Sequence, residues 1–168
     1  MEVCMFLVLL SLLGIGLYAS IRERSRVERS RVYEARQRAI QVADVDNMDG
    51  FTFEHYVAWL LRQKGYEDVQ VTSGSGDFGA DIIARRAGEK YAIQVKRWAS
   101  NVSRRAISDA VASKDYYGCT SAMVVTNSYF SKNAILFARS ANCELVDRDL
   151  LTTWIMDAVG SPESIEGS

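Results

Sequence analysis

The sequence contains very little histidine, cysteine and proline. Its single histidine, His55, has no second histidine with which to form a zinc site or a serine–histidine triad. Its three cysteines, Cys4, Cys119 and Cys143, are scattered without metal or redox spacing and fit a reducing compartment. The one proline, Pro162, lies near the end of the chain. These absences argue against a zinc enzyme, a histidine-based nucleophile and a disulfide scaffold.

The composition is that of a folded protein. The chain has 168 residues, of which 48% are hydrophobic and 24% are charged. This length suits one domain of ordinary size plus an appendage, and this composition supports a packed core. The net charge is −1, which says little about partners until the charges are placed along the chain.

The N-terminal segment is strongly apolar. Residues 3–20 carry no charge and are just long enough to cross a bilayer as a helix. The alternative is a cleaved signal peptide, which would need a basic start and a small-residue cleavage site. Glu2 makes the start acidic, which favours the transmembrane helix, although Ala19-Ser20 resembles a cleavage site.

The next segment, residues 21–41, is basic, with seven arginines, three glutamates and a net charge of +4. Arginines that follow a transmembrane helix stay on the cytoplasmic side. We therefore expect an inner (cytoplasmic) membrane protein with its N-terminus outside and its globular part in the cytoplasm. The segment can also attract anionic lipid or gather DNA. The predicted regions are 1–20 (transmembrane anchor), 21–43 (juxtamembrane helix or linker), 44–159 (globular domain) and 160–168 (disordered tail).

The globular part shows the periodicities of an α/β domain. Phe53, Val57, Leu60 and Leu61 share one helix face, and turn residues at Ala87-Gly88 separate two strands of a hairpin. The predicted order is α-β-β-β-α-β-α-β-α, which means a mixed sheet with helices on both faces. After the first helix, the predicted elements are strands 69–72, 80–85, 91–96, 122–126 and 143–146 and helices 103–117, 131–141 and 150–159.

The hairpin brings polar residues together. A two-residue turn at Ala87-Gly88 pairs residues whose numbers sum to 175, which sets Asp81 opposite Gln94. Along the second strand, Gln94 and Lys96 then point to one face, and Ile93 and Val95 point to the other.

A carboxylate, an amide and an ammonium group together suit phosphodiester hydrolysis. Asp81 can hold Mg²⁺ or Mn²⁺, with the Gln94 amide oxygen and the Val95 carbonyl as further ligands. Lys96 can orient or deprotonate the attacking water, or stabilise charge in the transition state. Glu54 could add a second carboxylate. Each of these residues also has a structural alternative. Asp81 could cap a strand and Gln94 could be an ordinary exposed strand residue. Lys96 could be an edge-strand charge, and Glu54 a first-turn carboxylate.

These residues resemble a known family. The motif G-D-F-G-A-D at 76–81, followed by Q-V-K at 94–96, is similar to the Mrr-type restriction endonucleases of the PD-(D/E)xK nuclease superfamily. The resemblance covers residues 48–155. It implies a restriction-endonuclease-like fold and Mg²⁺-dependent DNA cleavage, often of methylated DNA. It also implies that Asp81, Gln94, Lys96 and the accessory Glu54 are catalytic, and it marks Asp77 as a recurrent acidic position.

DNA binding would have to come from a local patch. From residue 42 onward, 13 basic residues face 17 acidic ones, a net charge of −4. Arg97, Trp98, Arg104 and Arg105 form the one basic cluster with an aromatic residue, which could grip the DNA backbone or be a solvated face.

Three functions stay open at this point. The first is a membrane-anchored restriction-like endonuclease, although this chain has a predicted transmembrane helix where this family usually has a separate DNA-reading domain. The second is a structure-selective nuclease of repair or recombination. The third is a membrane-tethered DNA-binding module with little activity. A homodimer is also left open, because cutting two strands takes two sites or two visits.

Overall fold

The protein is described here from a computed structural model. The structure describes residues 43–72 and 79–160, together with Tyr18 and residues 22–24. The chain divides into two compact units, Met1–Ile40 and Gln41–Ser168. The fold described below is that of the second unit.

A five-stranded mixed sheet forms the centre of this unit, with the spatial order β1-β2-β3-β4-β5. The first three strands are antiparallel neighbours, whereas β3, β4 and β5 run parallel to one another. The long strand β3 is therefore central and joins the two halves of the sheet. The strands are β1 (Glu67–Val71), β2 (Ile82–Arg86), β3 (Glu89–Lys96), β4 (Ser121–Thr126) and β5 (Cys143–Val146).

The β2–β3 hairpin has the predicted register. Ile82 pairs with Ile93 and Arg86 pairs with Glu89, so paired residue numbers sum to 175. The turn residues Ala87 and Gly88 both have positive φ, +50° and +85°. Positive φ at both central positions is the mark of a type I′ turn, whose twist matches that of the flanking strands.

Within residues 50–160, four helices complete the predicted order of elements. Ser103 and Ser131 cap two of them, each side chain accepting a hydrogen bond from a first-turn backbone N–H. The last helix begins two residues earlier than predicted, because the Asp147 side chain accepts from the N–H of Leu150 and acts as a cap. The helices are α1 (Gly50–Gln63), α2 (Arg104–Tyr117), α3 (Lys132–Ser140) and α4 (Arg148–Gly160).

Each face of the sheet buries its own hydrophobic cluster. Ile93 and Val95 pack on the face covered by α1 and α4, together with Phe53 and Leu61. The opposite face packs beneath α2 and α3, where Ile107 lies in the second cluster. The predicted arrangement, a mixed sheet flanked by helices on both faces, is confirmed. Because strand side chains alternate, Gln94 and Lys96 face the α2 side.

Several predictions concern residues outside the described ranges. Nearly all of the predicted transmembrane helix (3–20), most of the basic segment (21–43), Asp77 and nearly all of the predicted tail (160–168) belong to them. Within the described part of the chain, no helix is both long and apolar enough to cross a membrane.

Candidate active site

The main chain of Asp81 is fixed from two sides at the start of β2. Its N–H donates to the carbonyl of Ile93 on β3 at 2.9 Å. Its carbonyl accepts from the N–H of Thr72, also at 2.9 Å, and from the Thr72 hydroxyl at 3.2 Å. These bonds tie Asp81 to the strands on either side, and so they set the position from which its carboxylate projects.

The carboxylate of Asp81 is bound to the adjoining strand. Its Oδ2 accepts a hydrogen bond from the backbone N–H of Val95 at 2.6 Å and another from the side-chain amide of Gln94. A residue in a strand directs its N–H and its C=O to the same side. The Val95 carbonyl therefore points toward the Asp81 side of β3, where the sequence predicts a metal ligand.

Gln94 and Lys96 occupy adjacent positions on one face of β3, but they differ in exposure. The Gln94 side chain is buried, with 3% of its surface exposed, so the reading of it as an ordinary exposed strand residue is wrong. Lys96 is half-buried. The structure thus joins Asp81 and Gln94 by a direct hydrogen bond and places Lys96 two residues further along the same face.

Gly79 brings the chain into close contact with α2 just before Asp81. It has φ of +88°, and a Cβ built on it would lie 2.8 Å from the carbonyl oxygen of Asp109. Real Cβ atoms do not approach backbone so closely, and positive φ also favours glycine. The close contact and the positive φ therefore explain why the motif at 76–81 has glycine at position 79.

A cavity of about 240 Å³ lies beside Lys96, between the end of β3 and the first turns of α2. Trp98, Arg105 and Asp109 line it, together with the buried residues Val102 and Ala106. The predicted DNA-contacting residues Trp98 and Arg105 are therefore brought next to the predicted catalytic lysine.

The other two predicted DNA-contacting residues lie elsewhere. Arg97 donates to the backbone carbonyl of Asp46 at 3.0 Å. The Arg104 guanidinium lies over the ring of Phe137, 5.6 Å from its centroid. Of the four residues, Trp98 and Arg105 line the cavity beside Lys96. Trp98 also lines a second cavity, together with Arg97.

Glu54 lies in the second turn of α1, beside the fully buried Phe53, and is half-buried. The predicted accessory role of Glu54 stays a prediction. Asp77 lies outside the described residues, and so do residues 73–76 before it.

A polar network that the sequence did not reveal supports the end of β3. Asp46 and Arg148 form a two-pronged ion pair at 2.6 and 2.9 Å. Asn127, which follows β4, donates from its side chain to Asp46 at 2.8 Å and accepts from the N–H of Trp98 at 2.8 Å. The available signal for it was the polar run Thr126-Asn127-Ser128, which begins at the last residue of β4.

This network shifts the ionisation of its members. The hydrogen bond from Arg148 lowers the pKa of Asp46, and the hydrogen bond from Asn127 acts in the same direction. The same ion pair raises the pKa of Arg148. Both groups therefore stay charged at neutral pH and hold the network together.

The donor atoms at the site suit a hard divalent cation bound by few protein ligands. In the part of the chain that the structure describes, no group of three or more His, Cys, Asp or Glu side chains could hold a metal ion. The Asp81 carboxylate nevertheless lies beside Gln94 and Val95, and it accepts hydrogen bonds from the side-chain amide nitrogen of Gln94 and the N–H of Val95. The amide oxygen of Gln94 and the backbone carbonyl of Val95 are atoms of the kind that binds Mg²⁺. Mg²⁺ commonly binds through one or two carboxylates, keeps several waters and uses substrate phosphates.

Comparison with known families identifies the domain. A restriction endonuclease family model, that of the Mrr catalytic domain, matches residues 45–155. The chain therefore belongs to the Mrr-type restriction endonuclease family, as its motif suggested. Nucleases of this fold generally use divalent metal ions. No curated protein matches the chain significantly.

Solved structures show the same fold at low sequence identity. The MspJI restriction endonuclease, in complex with a 27-mer oligonucleotide, is 20% identical with a TM-score of 0.57, covering 77% of this chain and 32% of MspJI. The DNA modification-dependent restriction endonuclease AspBHI is 15% identical with a TM-score of 0.56, covering 74% of this chain and 36% of AspBHI. The chain thus spans about a third of the length of each.

Proposed function

We propose that this protein is a metal-dependent DNA endonuclease whose site is formed by Asp81, Gln94 and Lys96. The observation that carries the proposal is the carboxylate of Asp81, which is bound to the N–H of Val95 at 2.6 Å and to the amide of Gln94. This contact sets a carboxylate beside the strand that bears Lys96, in a chain of the restriction endonuclease family.

The proposed reaction is hydrolysis of one phosphodiester bond. Water attacks phosphorus, the bond from phosphorus to one sugar oxygen breaks, and that oxygen takes up a proton. A Mg²⁺ or Mn²⁺ ion held by Asp81, Gln94 and the Val95 carbonyl would polarise the phosphate and acidify a bound water. The Lys96 ammonium orients the water or stabilises the charge that develops on the phosphate. Glu54 is proposed as an accessory carboxylate.

A nicking assay with the full chain tests this function. Supercoiled plasmid, unmethylated or methylated, and a synthetic four-way junction are incubated with Mg²⁺, with Mn²⁺, or with metal plus a chelator. Cleavage that the chelator abolishes is expected. Binding without cleavage of any substrate would instead identify a tethered DNA-binding module.

The same assay separates the proposed biological roles. Preference for methylated plasmid favours restriction of modified DNA, whereas preference for the junction favours repair or recombination. An accumulating nicked circle indicates one cut per visit, and direct conversion to linear plasmid indicates two copies of the protein cutting together.

We further propose that residues 3–20 anchor the domain in the inner membrane and that the domain faces the cytoplasm. The support is the uncharged run of 3–20 and the seven arginines in residues 21–41. Alkaline phosphatase fused after residue 41 should show no periplasmic activity, while a green fluorescent protein fused there should fluoresce. Strong phosphatase activity would overturn this topology.

A further inference from the structure

We infer that the cavity beside Lys96 receives a single unstacked nucleobase on the ring of Trp98, so that the enzyme prefers DNA with an unpaired nucleotide beside the bond it cuts. This inference rests on the proposed nuclease function and names the substrate class of that site. The sequence analysis predicted that Trp98 belongs to a cluster that contacts the DNA backbone. The inference goes further, because it assigns to Trp98 a contact with a base.

The first support is the chemistry of the cavity wall. Buried Val102 and Ala106 line the cavity together with the aromatic residue Trp98, while Arg105 and Asp109 supply polar groups. A nucleobase has the same division, with apolar faces and a polar edge of donors and acceptors. The cavity measures about 240 Å³, and a cavity of about 150 Å³ already accepts benzene. One planar base ring can therefore enter.

The second support is the way in which Trp98 is held. Half of its surface (50%) is exposed, yet its backbone N–H is fixed by the side chain of Asn127, which is 5% exposed. Asn127 is in turn bound to Asp46. The structure thus fixes the backbone of an aromatic residue that keeps half of its surface exposed. Aromatic platforms of this kind bind bases by stacking, without requiring a particular sequence.

The third support is the position of Trp98 relative to the chemistry. Trp98 and Lys96 line the same cavity, so a base on Trp98 belongs to a nucleotide next to the phosphate at Lys96. A base inside an intact duplex is covered on both faces and must first be unstacked. That cost is smallest where the base is mismatched or already single-stranded. The cavity therefore selects bulges, gaps, flaps and junctions over intact duplex.

The fourth support is charge. The net charge of residues 42–168 is −4, so attraction to the phosphate backbone is weak for this domain. Stacking depends far less on salt than phosphate contacts do. A contact with one base is thus a way for an acidic domain to hold DNA.

A binding experiment in an uncleaving background tests the inference apart from the nuclease function. Full-length Asp81→Asn protein is titrated into two fluorescent duplexes, one intact and one with a single-nucleotide bulge containing 2-aminopurine. We expect the bulged duplex to bind about tenfold more tightly, with quenching of the 2-aminopurine fluorescence, which is the scale of one stacked base.

Substitutions at Trp98 then identify the contact. Trp98→Ala should abolish both the preference and the quenching, whereas Trp98→Phe should keep most of each because it retains an aromatic face. Trp59→Ala removes a partly exposed tryptophan of α1 that stacks on Tyr56, and it should change neither. A preference that survives in Trp98→Ala, or equal binding of the two duplexes by the parent protein, would overturn the inference.

Cleavage by the wild-type chain distinguishes this failure from a failure of the proposed function. If wild-type protein cuts bulged and intact duplex equally well, the nuclease function stands and the base site does not. If it cuts neither duplex while binding depends on Trp98, the base site stands and the nuclease function fails.

Discussion

At the scale of single residues, the site depends on backbone contacts as much as on its side chains. Asp81 is held by Thr72 and Ile93 through its main chain and by Val95 through its carboxylate. The sequence predicted the pairing of Asp81 with Gln94, because hairpin register follows from a two-residue turn. It could not predict that Gln94 is buried, since burial depends on how α2 packs over the sheet.

Gly79 gives a prediction at this scale. Gly79→Ala should lower the free energy of unfolding by about 1–3 kcal/mol, because the new Cβ meets the carbonyl of Asp109 and the residue keeps a positive φ. It should also reduce cleavage, because Asp81 follows two residues later. Urea unfolding and the nicking assay measure the two effects.

Gly65→Ala is the matched control for that substitution. Gly65 also has positive φ, +77°, but nothing lies within 4 Å of a Cβ built there. Its cost should be only about 1 kcal/mol, with cleavage unchanged. Equal costs at the two glycines would show that the contact with Asp109 does not matter.

At the scale of elements, the β2–β3 hairpin sets the geometry of the site. Its type I′ turn fixes the register, and the register in turn aligns Asp81 with Gln94. The strands and helices were predictable because their periodicity is strong and their caps are ordinary. The start of β1 was not predictable. The strand begins at Glu67 rather than at residue 69, because a register shift and a positive φ at Asp68 extend its pairing with β2.

The hairpin turn leads to a stabilising substitution. Ala87 has φ of +50°, a conformation that costs most residues about 1–2 kcal/mol but that asparagine tolerates. Ala87→Asn should therefore raise the free energy of unfolding by about 0.5–1 kcal/mol, measured by urea unfolding, and leave cleavage unchanged.

The same exchange in a helix should have the opposite sign. Ala112 is exposed on α2, where asparagine is a poorer helix former than alanine, so Ala112→Asn should cost about 0.6 kcal/mol. If both substitutions were destabilising, the turn would not have the conformation described.

At the scale of the whole molecule, residues far apart in sequence meet at the end of β3. Asp46 lies before α1 and Arg148 is the first residue of α4, yet they form one ion pair that also binds Asn127. No local sequence pattern predicts a contact between residues 46 and 148. The contact depends on how α1 and α4 pack on one face of the sheet. Tertiary contacts of this kind are what the sequence could not supply.

The ion pair predicts a pH dependence of stability. The pKa of Asp46 is lowered below its ordinary 3.8 by Arg148, so the stability it contributes is present above that value and is lost as pH falls through the folded pKa. The difference in unfolding free energy between wild type and Asp46→Asn should thus be constant near neutral pH and shrink below about pH 4.

Urea unfolding from pH 3 to 7 measures that difference. Asp68→Asn is the control, because Asp68 pairs with Arg85 at 3.6 Å on the exposed surface, where an ion pair contributes little. A gap between wild type and Asp46→Asn that widened toward acid pH would contradict the assignment.

The measurement that tests the central claim most directly is the rate of Mg²⁺-dependent DNA cleavage by matched pairs of variants of the full chain. Asp81→Asn and Lys96→Gln alter the site, while Asp68→Asn and Lys64→Gln make the same chemical changes elsewhere. The site variants should unfold cooperatively like wild type but cleave about 100-fold more slowly or worse, and the controls should stay within about twofold. Cleavage that persists in Asp81→Asn and Lys96→Gln would contradict the assignment of the active site.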